Sequence, residues 1–114
     1  MNKTKLCGNH HEEVALNYLQ KQGLVLVERN FYSRFGEIDL IMNDQDDLVF
    51  VEVKFRRFSV DSAIESINYS KQKKLIQCAK YYLLKHNNDC NCRFDAIAID
   101  KSQQIEWLKN IITL

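Results

Sequence analysis

The stretch that decides the fold is FGEIDLIM, residues 35–42, followed by a short polar gap and then by LVFVEVKF, residues 48–55. Both runs are rich in Ile, Leu, Val and Phe, which is typical of β-strands. Residues 43–47 carry the Asn and Asp side chains common in turns, so a hairpin is the simplest connection between the strands. The sequence therefore predicts two adjacent strands, one bearing Asp39 and the other bearing Glu52.

The alternation of side chains along a strand gives each of these strands two faces. The first strand is expected to place Ile38, Leu40 and Met42 on one face and Glu37, Asp39 and Ile41 on the other. The second is expected to place Val49, Val51 and Val53 on one face and Phe50, Glu52 and Lys54 on the other.

The register of the hairpin decides whether the two acids meet. A four-residue loop over residues 44–47 pairs Met42 with Val49 and sets Asp39 directly across from Glu52, with Cβ atoms about 4.5–5.5 Å apart. Two carboxylates at that spacing in a half-buried sheet repel each other and lose hydration. A divalent cation held by oxygen ligands reverses the sign of that interaction. The pattern thus favours a metal site at Asp39 and Glu52.

Lys54 follows Glu52 on the same face and adds a fixed positive charge beside this site. The alternative is a tighter turn at residues 46–47, which would pair Asp39 with Lys54 as a structural ion pair. That turn has neither Gly nor Asn at its two central positions, which is poor chemistry for a two-residue hairpin. It also leaves Glu52 unexplained.

An Asp…Glu-x-Lys pattern on adjacent strands resembles the active-site signature of the PD-(D/E)xK, or restriction-endonuclease-like, nucleases. More closely, GEIDLI at 36–41 and VFVEVK at 49–54 resemble the core of the YraN family, small bacterial proteins related to archaeal Holliday junction resolvases. Further motifs extend this resemblance over nearly all of the chain: Glu12-x-x-Ala15-x-x-Tyr18-Leu19, Arg29-Asn30, Lys71-Gln72-x-Lys74-Leu75-x-x-Ala79 and Arg93-Phe94-Asp95.

The resemblance implies metal-dependent hydrolysis of phosphodiester bonds in DNA. It implies that Asp39 and Glu52 hold Mg²⁺ or Mn²⁺, with the Val53 carbonyl as a further ligand. Lys54 would orient the attacking water and stabilise the phosphorane. Glu12 lies on the inward face of a predicted first helix, where it is either an amphipathic edge residue or an extra metal-site acid. The family motif favours the second interpretation, in which Glu12 acts directly or through a water.

The element pattern predicts an α/β domain with the order α-β-β-β-α-β, and the resemblance implies that it is a mixed central sheet flanked by helices, of the restriction-endonuclease-like fold. Ser70 is the expected cap of a long helix from Lys71 to about His86. Gln72 in its first turn either contacts substrate beside the site or is simply solvated. Residues 105–112 are expected to close the core as a short strand or helix.

The charge is unevenly distributed along the chain. Residues 54–85 contain eight basic residues and two acidic ones, a local charge of +6 in a chain whose formal net charge is +1. A basic segment directly after the metal-site strand suits a phosphate backbone, although a solvated helix face is the common alternative. The predicted nucleic-acid contacts are Arg56, Arg57, Lys71, Gln72 and Lys74.

Length and composition predict one domain over residues 1–114 in the cytoplasm. The chain has 46% hydrophobic and 27% charged residues, which is ordinary for a globular protein. No run approaches the roughly 18 apolar residues of a membrane span, and residues 1–5 do not begin a signal peptide. The four cysteines lack the spacing of a structural zinc site.

Two other function classes are compatible with these residues. One is a nucleic-acid-binding scaffold that keeps the fold without turnover, and the other is an adaptor in DNA metabolism. The expected partner of the nuclease is DNA, branched or single-stranded. A homodimer is the expected assembly if the substrate is a two-fold junction.

Overall fold

A computed structural model describes residues 3–56, 65–87 and 89–112, with side chains from His10 onward. Its elements are α1 (Lys3–Lys21), β1 (Val25–Ser33), β2 (Gly36–Asp44), β3 (Asp47–Arg56), α2 (Tyr69–Lys85), β4 (Cys92–Asp100) and β5 (Ile105–Leu108). The mixed α/β architecture is confirmed and is compatible with a restriction-endonuclease-like fold. β5 takes the form of a short strand where the sequence left a strand or a helix open.

The five strands form one sheet in the order β1-β2-β3-β4-β5. β1, β2 and β3 are antiparallel neighbours, β4 runs parallel to β3, and β5 is antiparallel to β4. The parallel step needs a long crossover, and the chain makes it through the segment that contains α2. As a result the end of β3, where Lys54 and Arg56 lie, leads into the segment that precedes the basic helix α2.

The β2–β3 turn sets the register that the sequence predicts. Met42 pairs with Val49, and the pairing continues to Asp44 and Asp47 at the turn. Gln45 takes the positive φ of 57° that this tight turn requires. The turn is therefore shorter than an open four-residue loop, but the predicted pairing is confirmed and the tighter turn at 46–47 is not formed.

The helices cover opposite faces of the sheet, and each face has its own apolar core. The α1 core contains Leu16 and Leu19 of α1 with strand residues such as Val51 and Ile97. The α2 core contains Leu75, Cys78, Ala79 and Tyr82 of α2 with strand residues such as Phe50 and Phe94. Neither described helix is long and apolar enough to cross a membrane.

Strict alternation fails at Ile38, which was expected to share a face with Leu40 and Met42. Ile38 instead packs in the α2 core, while Leu40 and Met42 pack in the α1 core. The neighbouring strand is irregular at this level, because Asn30 has a φ of 54° between the pairs Arg29–Leu40 and Phe31–Ile38. The irregularity lies beside Asp39, the residue between Ile38 and Leu40.

The start of α2 differs from the sequence prediction. Asn68, not Ser70, is the N-cap, and its side chain accepts a hydrogen bond of 3.0 Å from the Lys71 backbone N–H. Asparagine is among the best residues at this position because its side chain supplies an acceptor for an otherwise unpaired helix N–H. The helix therefore begins at Tyr69, which fixes the position of Lys71 in its first turn.

Asp95, a motif residue without a predicted catalytic role, is fully buried and fixes the far end of the sheet. It accepts hydrogen bonds from Arg93 Nε, Trp107 Nε1 and the Asn110 backbone N–H at 3.0, 2.9 and 2.9 Å. Arg93 also bonds Asp44 at 2.8 Å in the β2–β3 turn. These contacts join β4, the segment around β5 and the hairpin, which gives Asp95 a structural role.

Candidate metal and nucleic-acid site

The β2–β3 register brings Asp39 and Glu52 together on neighbouring strands. The β2–β3 pairing ends at Leu40 and Val51, the residues next to Asp39 and Glu52, and these two carboxyls are close enough for Glu52 to repel the charge of Asp39. Both acids are buried, with 9% and 5% of their surface exposed. Two carboxylates are thus held out of water on the same pair of strands.

Asp39 is held by the backbone of the adjacent strand. Its Oδ2 accepts a hydrogen bond of 2.8 Å from the Val53 backbone N–H. This contact directs the carboxylate towards β3, between the positions of Glu52 and Lys54. The carbonyl of Val53 as a metal ligand stays a prediction.

Two lysines converge on one oxygen of Glu52. Lys54 Nζ lies 3.5 Å and Lys71 Nζ 3.7 Å from Glu52 Oε1. The other oxygen, Oε2, is buried and has no hydrogen-bond partner. An anionic oxygen without a partner is costly to bury, so this oxygen has the property expected of a ligand to a cation.

A group of three acids stands beside this pair and could hold a metal ion. Oxygens of Glu12, Glu37 and Asp39 lie within 4.8 Å of one another. Glu12 is 8% exposed, and its Oε1 is also buried without a partner. The neighbouring acid on α1, Glu13, points elsewhere and pairs with Arg29 at 2.7 Å. The predicted inward placement of Glu12 therefore agrees with the structure.

Glu37 was given no role from the sequence, although the alternation of β2 places it on the same predicted face as Asp39. It is half-buried and lies across from Tyr32 on β1. A hydrogen bond with Glu37 raises the pKa of the Tyr32 hydroxyl. The shared face was the available signal, but the Asp…Glu-x-Lys pattern does not include this position.

The acids of the site resist ionisation when no cation is bound. Burial, followed by repulsion from Glu52, raises the pKa of Asp39 to about 9. Burial also raises the pKa of Glu52, against the opposing effect of Lys71 and Lys54. Burial, followed by repulsion from Glu37, raises the pKa of Glu12. All three carboxyls would therefore be stabilised in their charged form by a cation.

Of the residues predicted to contact nucleic acid, only some lie near the acids of the site. Lys71 reaches Glu52, whereas Lys74 is exposed one turn further along α2. Gln72 turns back to the preceding segment, where its amide donates to the Ile67 carbonyl at 3.3 Å. It therefore contacts neither of the two groups of acids in this conformation.

The basic end of β3 lies next to the site along the chain. Arg56 closes β3, and its Nη1 donates to the Phe55 carbonyl at 2.7 Å. Arg57 lies outside the described residues, so its predicted contact stays an expectation from the sequence.

Comparison with known proteins identifies the family. Residues 11–99 match the model of the uncharacterised protein family UPF0102. A UPF0102 protein of Psychromonas ingrahamii is 55% identical over 101 residues, 87% of this chain and 83% of that protein. Relatives from Coxiella burnetii and Nitrosomonas eutropha are 46% and 47% identical, each over 96% of this chain and over 93% and 96% of their own lengths. The chain therefore belongs to the uncharacterised protein family UPF0102, which is the YraN family that its motifs resemble.

Proposed function

We propose that this protein is a metal-dependent endonuclease that hydrolyses phosphodiester bonds in DNA, with branched or junction DNA as its substrate class. The observation that carries the proposal is the meeting of Asp39, Glu52 and Lys54 on β2 and β3. Glu52 is 5% exposed and contacts the Lys54 amine at 3.5 Å. A purely structural role does not account for buried carboxylates that repel each other.

The donor set of the site fits Mg²⁺ or Mn²⁺. Both ions prefer carboxylate, carbonyl and water oxygens. Glu12, Glu37 and Asp39 would supply carboxylates, and the buried, unpartnered oxygens of Glu12 and Glu52 would gain a partner from a cation. Such a cation, when bound, neutralises phosphate charge and makes a nearby water a better nucleophile.

The side chains around the cation have distinct tasks in this mechanism. Asp39, whose carboxylate is fixed by the Val53 N–H, and Glu52 would hold the cation beside the sheet. Lys54 lies with 21% of its side chain exposed, so its amine is accessible to a phosphate while remaining in a partly dehydrated site. There it orients the water and stabilises charge that develops on the phosphate oxygens.

Lys71 supplies a second positive charge from α2 and, with Arg56, Arg57 and Lys74, guides the DNA backbone to the acids. Among the described residues of this set, Lys71 lies 3.7 Å from Glu52. Phosphate contacts of this kind position the substrate and do not read its sequence. A substrate chosen by shape, such as a junction, agrees with such a contact set, and a two-fold junction would require a homodimer.

The test is cleavage of labelled junction, flap, single-stranded and duplex DNA by the purified protein in Mg²⁺, in Mn²⁺ and in EDTA. We expect cleavage in the metal buffers alone. Lys54→Ala should lower the cleavage rate by orders of magnitude, whereas Lys80→Ala, an exposed lysine two turns further along α2 than Lys71, should leave it nearly unchanged. Absence of cleavage of every substrate by the wild-type protein would favour a DNA-binding scaffold.

A further inference from the structure

A cavity lies next to Glu52, one strand further across the sheet. Glu52 pairs with Ala96 of β4 in the parallel register, and paired residues of neighbouring strands share a face at a strand spacing of about 4.7–4.9 Å. Ala96 is buried in the α2 core. Five residues line a cavity of about 210 Å³, here called the Ala96 cavity: Ile67, Gln72, Ala96, Leu108 and Ile111. The cavity therefore adjoins the proposed reaction site on the side of the sheet that α2 covers.

Backbone contacts of the fold hold the walls of the Ala96 cavity in place. The Ile111 backbone N–H donates to the Phe94 carbonyl at 2.7 Å, which fixes the segment after β5 against β4. At the start of α2, the Gln72 amide donates to the Ile67 carbonyl at 3.3 Å. The short side chain of Ala96 leaves the space between these walls unfilled. The cavity is therefore already formed in the protein without a ligand.

The size and lining of the Ala96 cavity suit one nucleobase. A cavity of about 150 Å³ can hold a benzene ring, so a volume of about 210 Å³ has room for a single base. Four of the five lining residues are apolar, which suits the faces of a flat ring. The fifth, Gln72, carries an amide that offers both a donor and an acceptor to the edge of a base.

A basic groove continues from the Ala96 cavity along α2 and shares Gln72 with it. The groove has a volume of about 360 Å³, and its lining residues are Tyr69, Gln72, Lys73, Ile76, Gln77, Lys80 and Ile112. Tyr69 is 73% exposed, and Lys73 Nζ lies 5.2 Å from the centre of its ring. Aromatic rings and cations along a groove are typical of single-strand binding sites. The positive charge favours an occupant that belongs to a phosphate chain.

The start of α2 joins the Ala96 cavity to the acids. Lys71 Nζ lies 3.7 Å from Glu52 Oε1, and the next residue, Gln72, lines the cavity. A phosphate held by Lys71 at the acids would therefore place the base of the same nucleotide beside Gln72. One nucleotide is enough to span the two positions.

We propose that the Ala96 cavity receives one unpaired nucleobase of the DNA substrate, from the nucleotide that carries the attacked phosphate. This inference rests on the proposed nuclease function and narrows its substrate class. A base inside a continuous duplex reaches such a cavity only after it is unpaired and unstacked, which costs free energy. The preferred substrate is therefore unpaired at the point of cleavage, as in a flap or at the branch of an incompletely paired junction.

The first experiment measures DNA binding in EDTA, where no metal-dependent cleavage occurs. The probe is a labelled flap, whose duplex part fixes the register, with each of the first unpaired nucleotides made abasic in turn. Fluorescence anisotropy with wild type should show one position at which loss of the base weakens binding by about tenfold, the effect of losing one bound base. The other positions should change the affinity by less than about threefold.

A matched pair of variants tests whether the Ala96 cavity holds that base. Leu108 lies across from Ala96 on β5, and Leu108→Trp fills the cavity with a residue that strands tolerate well. It should bind the intact flap as weakly as wild type binds the abasic one. Leu84→Trp, at a site 82% exposed near the end of α2, should behave as wild type. Far-UV circular dichroism and a thermal melt show whether both variants are folded.

A measurement on wild type alone keeps the test independent of the variants. The flap carries 2-aminopurine, a base whose fluorescence rises when it leaves the stack, at the position that the abasic series identifies. None of the five residues that line the Ala96 cavity is aromatic, so binding should increase the fluorescence. Quenching would instead place the base on an aromatic ring such as Tyr69 and would overturn the assignment to the cavity.

The outcomes separate this inference from the proposed function. Equal affinity for the intact flap and for every abasic flap, together with metal-dependent cleavage, would overturn the base site and leave the nuclease standing. Cleavage of continuous duplex as fast as of the flap would do the same. Absence of binding to any DNA would overturn both proposals.

Discussion

At the scale of single residues, Asp39 stands in a conflict between stability and function: the fold buries a carboxyl that the proposed chemistry needs in its charged form. The sheet buries its carboxyl, the Val53 N–H fixes its direction, and Glu52 repels its charge. Burial and the repulsion from Glu52 disfavour an ionised carboxylate when no cation is bound, whereas the hydrogen bond from the Val53 N–H favours it. The metal-free protein is therefore less stable than it would be with a neutral side chain at residue 39.

The raised pKa of Asp39 gives the metal-free protein a defined dependence on pH. The carboxyl titrates near 3.9 in the unfolded chain and at about 9 in the folded protein. Between these values the folded state binds more protons, so the free energy of unfolding falls as the pH rises. We expect the melting temperature in EDTA to fall from pH 5 to pH 9, and to fall less steeply in Asp39→Asn.

Asp39→Asn should also melt at a higher temperature than wild type at pH 8 in EDTA, since a neutral amide avoids the free-energy cost of protonating and burying the carboxyl beside Glu52. Asp44→Asn is the matched control. Asp44 bonds Arg93 at 2.8 Å, so its replacement should lower the melting temperature. An equal pH slope in wild type and Asp39→Asn would show that Asp39 is already ionised without metal.

Some residues of the site could be predicted from the sequence and others could not, and the reason differs from residue to residue. Asp39 and Glu52 could be paired because the turn chemistry fixed the register of a two-strand ladder. Glu12 could be found from helix spacing and a family motif. Glu37 could not be given a role, because its approach to Glu12 depends on how α1 packs on the sheet, which no local pattern describes.

At the scale of elements, α2 positions a basic surface beside the acids. Between Tyr69 and Lys85 it carries five lysines and no acidic residue. Its cap at Asn68 fixes the first turn, and through it the approach of Lys71 to Glu52. The position of the helix start is thus part of the geometry of the site.

Two substitutions distinguish Asn68, the N-cap in the structure, from Ser70, the N-cap predicted from the sequence. Asn68→Ala should lower the free energy of unfolding by about 1 kcal/mol, the usual cost of losing an N-cap acceptor. Ser70→Ala lies inside the helix and should change it by less than about 0.5 kcal/mol. Chemical denaturation of both variants measures the difference, and a larger loss at Ser70 would restore it as the cap.

The element order, the mixed sheet and the β2–β3 hairpin were accessible from the sequence, whereas two details were not. The prediction of which sheet face Ile38 occupies was wrong, because Asn30 on the neighbouring strand has a left-handed backbone that interrupts the regular alternation. The predicted cap was wrong because Asn68 and Ser70 are both good N-cap residues, and only the hydrogen bond that the Lys71 N–H donates to Asn68 decides between them. Neither the positive φ of Asn30 nor the hydrogen bond at Asn68 can be read from a hydrophobic periodicity.

At the scale of the whole molecule, the near-neutral net charge of +1 hides a strong separation of charge. The acids of the site lie where β2 and β3 meet α1, and the basic residues lie at the end of β3 and on α2. A cation at the acids would reduce the negative charge that opposes DNA, so metal and nucleic acid should bind cooperatively in this account.

This separation predicts where the salt dependence of DNA binding arises. Replacing Arg56 and Arg57 together by Glu should weaken binding to junction or single-stranded DNA. It should also reduce the slope of log K against log salt by about 2, since each lost phosphate contact removes about one released counterion. Fluorescence anisotropy in EDTA at several salt concentrations measures the slope. An unchanged slope would show that DNA docks on another surface.

The measurement that tests the central claim most directly is the cleavage rate of Asp39→Asn under single-turnover conditions in Mn²⁺, together with its DNA affinity in EDTA. The substitution keeps the size of the side chain and removes a charge that would bind the metal. We predict that cleavage falls by orders of magnitude while DNA affinity in EDTA stays close to that of wild type, because the metal acts on the transition state. Equal cleavage by wild type and Asp39→Asn would contradict the assignment of this site.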